Sequence, residues 1–93
     1  DMKMQIEAAR NLVYKAACLK QEGKPFTVDA AIAKRVASDV AMRVSTEAVQ
    51  IFGGYGYSEE YPAARHMRDA KITQIYEGTN EVQLMVTAGA LLR

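Results

Sequence analysis

The sequence has few of the features that mark several common classes of protein. Its 93 residues include a single cysteine, Cys18, which excludes an internal disulfide and a cysteine-based metal cluster and is typical of a reducing compartment. The twelve basic and eleven acidic residues are interspersed, so no block of one sign predicts binding to nucleic acid or to an anionic membrane. No apolar run approaches the ~20 residues of a membrane span. We therefore expect no nucleic-acid partner and no membrane partner.

Strand signals are equally scarce, because alternation of apolar and polar residues is confined to residues 71–76. Helical periodicity covers most of the rest. From Met2 to Glu22, apolar residues recur at spacings of three and four, namely Met2, Ile6, Ala9, Val13 and Ala16 or Ala17. This spacing predicts an amphipathic helix, and Gly23 followed by Lys24-Pro25 predicts its end.

A second, longer helix is predicted from Thr27, a suitable N-cap, because no glycine or proline interrupts the chain before Gly53. Its predicted inner face consists of Ala33, Ala37, Val40, Val44, Ala48 and Ile51. Its predicted solvent face carries charges at a four-residue spacing that favours weak ion pairs, namely Arg35, Asp39, Arg43 and Glu47. Such a helix is typical of a helical bundle.

Three glycines and three aromatic residues are concentrated in the range 50–57, Gln50-Ile51-Phe52-Gly53-Gly54-Tyr55-Gly56-Tyr57. This composition predicts a helix end followed by an irregular loop whose tyrosines pack on the bundle. A glycine loop can also hold a phosphate or a dinucleotide, but the Rossmann pattern requires a preceding strand, and here a helix precedes.

Two further helices complete the predicted fold. A short one begins at Pro62 and extends to about Ala70, and the last one follows Thr79. His66 lies on the short helix without other ligands at metal spacing, so we expect no metal site. The prediction is an all-α, up-and-down helical bundle of three long or moderate helices and a short one.

The segment Ile75-Tyr76-Glu77-Gly78-Thr79-Asn80-Glu81 places a carboxylate before a glycine and a threonine that can cap the last helix. Glu77 is thereby held on a fixed elbow. An enzyme that removes a weakly acidic C–H proton needs a base held in such a way, in a site with little water. Alternatively, Glu77 interacts only with the N-terminus of the last helix. The local sequence leaves both interpretations open.

Four motifs in this order resemble the C-terminal domain of the flavin-dependent acyl-CoA dehydrogenases. They are the segment 50–57 already quoted, Tyr61-Pro62, Met67-Arg68-Asp69-Ala70-Lys71-Ile72, and Gln74-Ile75-Tyr76-Glu77-Gly78-Thr79. The resemblance covers essentially the whole chain and is closest to short-chain, butyryl-type members. Because the chain also opens with Asp1, we expect residues 1–93 to be a C-terminal domain cut from a longer flavoenzyme, with the N-terminal helical and middle β domains absent.

The resemblance implies a reaction and a base. In that family, acyl-CoA is dehydrogenated to trans-2-enoyl-CoA, and the base is a glutamate at the position matched by Glu77. It takes the α-proton of the thioester while a hydride leaves the β-carbon for FAD. Gly78 matches a substrate-binding position, and the backbone N–H of Glu77 matches a donor to the thioester carbonyl.

Two cofactor-binding segments follow from the same resemblance. Residues matching contacts to an FAD held mainly by a neighbouring subunit are Gln50, Ile51, Phe52, Gly53 and Gly54. A second FAD contact is matched at the start of the last helix by Thr79, Asn80 and Glu81.

The implied partners are acyl-CoA, an electron-transfer flavoprotein and further copies of the parent enzyme in a homotetramer. The implied compartment is the cytoplasm of a bacterium or the mitochondrial matrix of a eukaryote. The alternatives are an acyl-CoA oxidase-like relative and a non-catalytic helical interaction module. We expect the isolated chain to be inactive, since most of the implied flavin and CoA pocket is missing.

Overall fold

The computed structural model of the protein describes residues 1–92, so Arg93, the last residue of the predicted domain, lies outside the described residues. Within that range the helices are α1 (Met2–Gln21), α2 (Thr27–Phe52), α3 (Gly54–Tyr57), α4 (Pro62–Thr73) and α5 (Asn80–Leu91). Residues 1–92 contain no strand, which confirms the all-α prediction. The alternation in residues 71–76 does not form a strand, because its first half continues α4 and its second half turns toward α5.

Helix α2 is the central element, because it contacts each of the other four helices. Its 26 residues would span about 39 Å at 1.5 Å per residue, which accounts for most of the 48 Å long dimension of the molecule. Arg43 of α2 donates to Gln5 near the start of α1, and Lys15 near the end of α1 pairs with Asp29, so α1 and α2 run antiparallel.

Helix α4 returns along α2 in the opposite direction. The short α3 follows the C-terminal end of α2, and Gln74, directly after α4, donates to Asp39 in the middle of α2 at 2.8 Å. The three helices α1, α2 and α4 therefore alternate in direction, as the up-and-down prediction requires.

The core is small and consists of alanines, Ala9, Ala31, Ala33, Ala64 and Ala70. No large side chain in residues 1–92 is fully buried. The predicted inner faces are only partly correct. Ala33 is buried, but Ile51 is 68% exposed because no described residue covers that side of the last turn of α2. In α1, Ala9 is buried as predicted. The next covered residue on that face is the half-buried Leu12, whereas the predicted Val13 is exposed.

Several predicted helix boundaries need correction. Thr27 is the first residue of α2 and not its N-cap; Phe26 occupies the cap position, with no side-chain capping bond. Residues 54–57 form one helical turn instead of an irregular loop, and α4 continues past Ala70 to Thr73. The end of α1 before Gly23 and the N-cap role of Thr79 are confirmed, the latter because the Thr79 hydroxyl accepts from Val82 N.

The tyrosines after α2 do not pack into the bundle. Tyr55 and Tyr57 are 71% and 77% exposed, because the glycine-rich turn α3 carries them past the end of α2. Tyr55 instead meets Tyr61 edge to face, with ring centroids 5.6 Å apart. Across residues 1–92, no helix combines the length and hydropathy needed to cross a membrane.

Candidate active site

The connection from α4 to α5 forms a sharp elbow with two consecutive residues in the left-handed region. Glu77 has φ +56° and Gly78 has φ +83°. Among residues 1–92, Glu77 is the one non-glycine residue with positive φ. A residue with a Cβ is uncommon there and costs on the order of 1 kcal/mol or more, so the surrounding structure must hold it in place.

Hydrogen bonds from both neighbouring helices hold the backbone of this elbow. Lys34 Nζ of α2 donates to Gly78 O at 2.9 Å. Gln83 Nε2 of α5 donates to Gly78 O at 3.1 Å and to Glu77 O at 3.3 Å. Asn80 N donates to Gln74 O at 3.0 Å, which closes the turn. The conformation of Glu77 is thus set by groups on both sides of the turn.

Beneath the elbow lies a polar cluster that the sequence analysis did not identify, made of Lys34, Ser38, Asp39, Gln74 and Asn80. The buried Asn80 is its centre: its Oδ1 accepts from Lys34 Nζ at 2.7 Å, and its Nδ2 donates to Asp39 Oδ1 at 2.7 Å and to Ser38 Oγ at 2.8 Å. Every buried side-chain nitrogen or oxygen in residues 1–92 has a partner. The cluster therefore ties the start of α5 firmly to α2.

A local signal for part of this cluster exists in the sequence. Lys34 and Ser38 are four residues apart on α2, so they share a helix face with the predicted inner alanines Ala33 and Ala37. Polar residues at such positions require partners when they are covered. Ser38 finds partners in its own helix, at Lys34 O and Arg35 O, but the sequence does not predict the partners that lie 42 to 46 residues away, Gly78 and Asn80.

The Glu77 carboxylate is exposed and forms no hydrogen bond or ion pair with residues 1–92. It borders a groove of about 430 Å³ whose other lining residues are Lys34, Ala37, Ser38, Ala41, Thr73 and Tyr76. The N-terminus of α5 is capped by Thr79, with Val82 N donating to Thr79 Oγ1 at 3.3 Å. Capping of α5 therefore does not occupy the Glu77 side chain, which is left available to a ligand.

Two backbone donors at the elbow are also available. Within residues 1–92, neither the N–H of Glu77 nor that of Gly78 donates a hydrogen bond. Both groups belong to the exposed turn beside the Glu77 carboxylate. The elbow thus combines an acidic acceptor with donors that can bind a carbonyl oxygen, which is the combination needed to deprotonate the carbon next to a carbonyl group.

The predicted cofactor-binding residues occupy two separate places. Thr79, Asn80 and Glu81 adjoin the elbow, and all three border a polar hollow of about 350 Å³ that also includes Arg35 and Lys71. The Asn80 side chain points into α2 and is fully engaged there. The segment 50–54 lies at the far end of α2, roughly 24 Å along the helix from Lys34 at 1.5 Å per residue.

The backbone of the distant segment is open to approach. Gln50, Ile51, Phe52, Gly53 and Gly54 are all exposed. A Cβ placed on Gly53 or Gly54 would meet nothing within 4 Å, and Gly53 has φ +62°. His66 is exposed, and residues 1–92 contain no group of three or more metal-binding side chains that could hold an ion.

Comparison with known proteins identifies the class to which this fold and elbow belong. Residues 1–92 match the family model of the acyl-CoA dehydrogenase C-terminal domain. The chain belongs to this family.

Among the relatives are acyl-CoA dehydrogenases that act on short acyl chains. All 93 residues align at 96% identity with a short-chain specific acyl-CoA dehydrogenase of Megasphaera elsdenii, of which they cover 24%. The solved butyryl-CoA dehydrogenase from Megasphaera elsdenii superimposes with a TM-score of 0.99 at 96% identity, over the whole of this chain and 24% of the other. A solved structure described as an electron transferring flavoprotein of Acidaminococcus fermentans matches the whole chain at 69% identity and TM-score 0.98, over 24% of its own length. The chain thus spans about a quarter of the length of these proteins.

Proposed function

We propose that this chain is the part of a short-chain acyl-CoA dehydrogenase that carries the catalytic base, and that Glu77 is this base. The observation that carries the proposal is the left-handed backbone of Glu77, held by donors from α2 and α5. Such strain is retained where a side chain must be presented in one direction. An exposed glutamate with no functional demand has no reason to occupy it.

The chain's own residues would act at the α-carbon of a short acyl-CoA thioester. Glu77 Oε would accept the α-proton. The backbone N–H of Glu77, which is free within residues 1–92, would donate to the thioester carbonyl and stabilise the negative charge that develops on its oxygen. Gly78, which has no side chain of its own and lies in the exposed turn, would let the thioester approach the backbone beside Gln83.

The exposed residues of both predicted cofactor segments fit FAD, whereas the Asn80 side chain is already bonded to Lys34, Ser38 and Asp39. Gly53 and Gly54 present open backbone next to the exposed Phe52, and the capped start of α5 presents a helix N-terminus. We assign Gln50, Ile51, Phe52, Gly53 and Gly54 to one FAD and Thr79, Asn80 and Glu81 to another. We also propose that the parent enzyme is a homotetramer in which a neighbouring subunit holds the first FAD. When bound, FAD would accept the hydride from the β-carbon of the substrate.

The exposure of Glu77 explains the expected inactivity of the isolated chain. A glutamate base needs surroundings with little water. Here the groove beside Glu77 is open, so the cover would come from the acyl-CoA, the FAD and the remaining parts of the enzyme. The solved structure from Acidaminococcus fermentans contains a chain similar to this one, and its description names an electron transferring flavoprotein, which supports such a protein as the electron acceptor. The compartment would be the cytoplasm in a bacterium and the mitochondrial matrix in a eukaryote.

The test is the Glu77→Gln variant of the full-length enzyme, mixed with butyryl-CoA in the absence of oxygen. Loss of a general base lowers the reaction rate by about 10²- to 10⁴-fold. Bleaching of the flavin by butyryl-CoA should therefore slow by at least about 100-fold. FAD content and butyryl-CoA binding should be retained, because the amide has nearly the shape of the carboxyl group. The matched control is Glu47→Gln, at an exposed position of α2. Bleaching of Glu77→Gln at a near-normal rate would remove Glu77 from this role.

A further inference from the structure

Lys34 has an unusual set of partners. Its ammonium group donates to Gly78 O at 2.9 Å and to Asn80 Oδ1 at 2.7 Å, two neutral oxygens that lie 44 and 46 residues further along the chain. It forms no ion pair within residues 1–92. A lysine normally keeps its charge in water or beside a carboxylate, and hydrogen bonds from a charged donor are roughly twice as strong as neutral ones. Both of these hydrogen bonds from Lys34 go to the turn that contains Glu77 or to its end at Asn80.

Attachment of α5 to α2 does not explain this arrangement. The Asn80 side chain already reaches α2 through Ser38 and Asp39, with Nδ2 donating at 2.8 and 2.7 Å. The bond from Lys34 to Gly78 O adds little to that attachment. It holds the peptide group that follows Gly78, directly after the two left-handed residues, and it shares this carbonyl oxygen with Gln83.

We propose that Lys34 is a positioning residue for Glu77, an inference that rests on the proposed function. By holding Gly78 O, Lys34 keeps Glu77 and Gly78 in the left-handed region and so sets the direction of the Glu77 carboxylate and of its backbone N–H. Gln83 holds the same carbonyl from the opposite side, at 3.1 Å. Without Lys34 the turn relaxes, and the carboxylate moves away from the α-carbon of the bound thioester.

The experiment measures single-turnover reduction of bound FAD in the full-length enzyme with increasing butyryl-CoA. Lys34→Met keeps the length of the side chain and removes its donors. Because a displacement of about 1 Å can cost about 100-fold, the limiting rate per bound FAD should fall by about 10- to 100-fold. The butyryl-CoA concentration for half-saturation should change by less than about threefold, since a change in the direction of the Glu77 carboxylate affects the transition state more than the binding of butyryl-CoA. Lys34→Arg, which restores donors, should recover most of the rate.

The matched control is Lys15→Met. Lys15 also connects a neighbouring helix to α2, through a 3.0 Å contact with Asp29, but it lies on α1, which contacts neither α4 nor α5. It should leave the limiting rate unchanged. A purely structural role for Lys34 would lower FAD content or thermal stability in Lys34→Met while the rate per bound FAD stayed normal, and that result would overturn the inference.

A second variant decides the matter if Lys34→Met does not fold. Gln83→Met removes the other donor to Gly78 O. A lower limiting rate with unchanged half-saturation would support positioning through this carbonyl, and an unchanged rate would overturn it. The two proposals fail separately. If Glu77→Gln is inactive and Lys34→Met is normal, only the positioning role is lost; if Glu77→Gln reduces FAD normally, the proposed base itself is wrong.

Discussion

Gly56 is the glycine at which an added methyl group would make the shortest contact. It is the buried residue of α3, and a Cβ there would lie 2.5 Å from Val49 O, 2.9 Å from Phe52 Cβ and 3.0 Å from Val49 Cα. All three atoms belong to the backbone of α2 or are fixed to it. None can move aside by a change of rotamer, so Gly56→Ala would push α3 away from α2.

The expected change in the free energy of unfolding is the steric cost of the added methyl group minus the gain from replacing a helical glycine. Overpacking of a tight site costs about 1–3 kcal/mol, whereas replacing glycine by alanine within a helix gains about 0.5–1 kcal/mol. Gly56→Ala should therefore lower the free energy of unfolding by about 0.5–2 kcal/mol. At Gly89 in α5, a Cβ would meet nothing within 4 Å, so Gly89→Ala should show only the gain.

The assay is urea unfolding of the 93-residue chain, followed by circular dichroism at a concentration at which sedimentation shows a monomer. With an m-value of about 1 kcal/mol per molar urea, the midpoints of Gly56→Ala and Gly89→Ala should differ by about 1–3 M. Equal midpoints for the two variants, or a higher midpoint for Gly56→Ala, would refute the steric reasoning.

Two further predictions concern the start of α5. Asn80→Asp removes the amide that donates to Asp39 and Ser38 and places two carboxylates side by side. It should lower the free energy of unfolding by about 2–4 kcal/mol in the same urea assay. The control, Asn11→Asp at an exposed position, should lower it little. A wild-type midpoint for Asn80→Asp would contradict the polar cluster. Thr79→Ala removes the acceptor for Val82 N and should cost about 1 kcal/mol, whereas Thr79→Ser should cost little; identical losses for both would argue against the cap.

The sequence predicted those parts of the site that depend on near neighbours in the chain. Gly78 after Glu77 and the capping Thr79 are adjacent residues, and their local chemistry was sufficient to indicate a turn into α5. The left-handed φ of Glu77 itself was not predicted, because nothing in its residue type favours that conformation. The turn that contains Glu77 is held in part by a hydrogen bond from Lys34, which lies 44 residues before Gly78 in the chain.

In the fold as well, features set by near neighbours in the chain were predicted, and features set by distant contacts were not. Helix periodicity predicted the helices and the turn at Gly23, since these depend on local propensity and capping. It failed at Ile51, which has the spacing of an inner residue but is exposed, because burial depends on what lies opposite. It also failed at residues 54–57, where backbone hydrogen bonds to Gly53 O and Gly54 O form a helical turn, and where Gly56 leaves no room for a Cβ beside Val49.

The alanine core has a consequence for how the elbow keeps its place. Ala64 and Ala70 are the buried residues of α4, so the most deeply covered part of its surface carries methyl groups. A methyl group has no alternative rotamers, and the axial alignment of α4 with α2 is therefore governed by main-chain shape. Because the turn that contains Glu77 follows directly after α4, its position depends on this alignment. A bulkier residue at either alanine would shift Glu77 as part of a rigid unit, at a distance and without touching it.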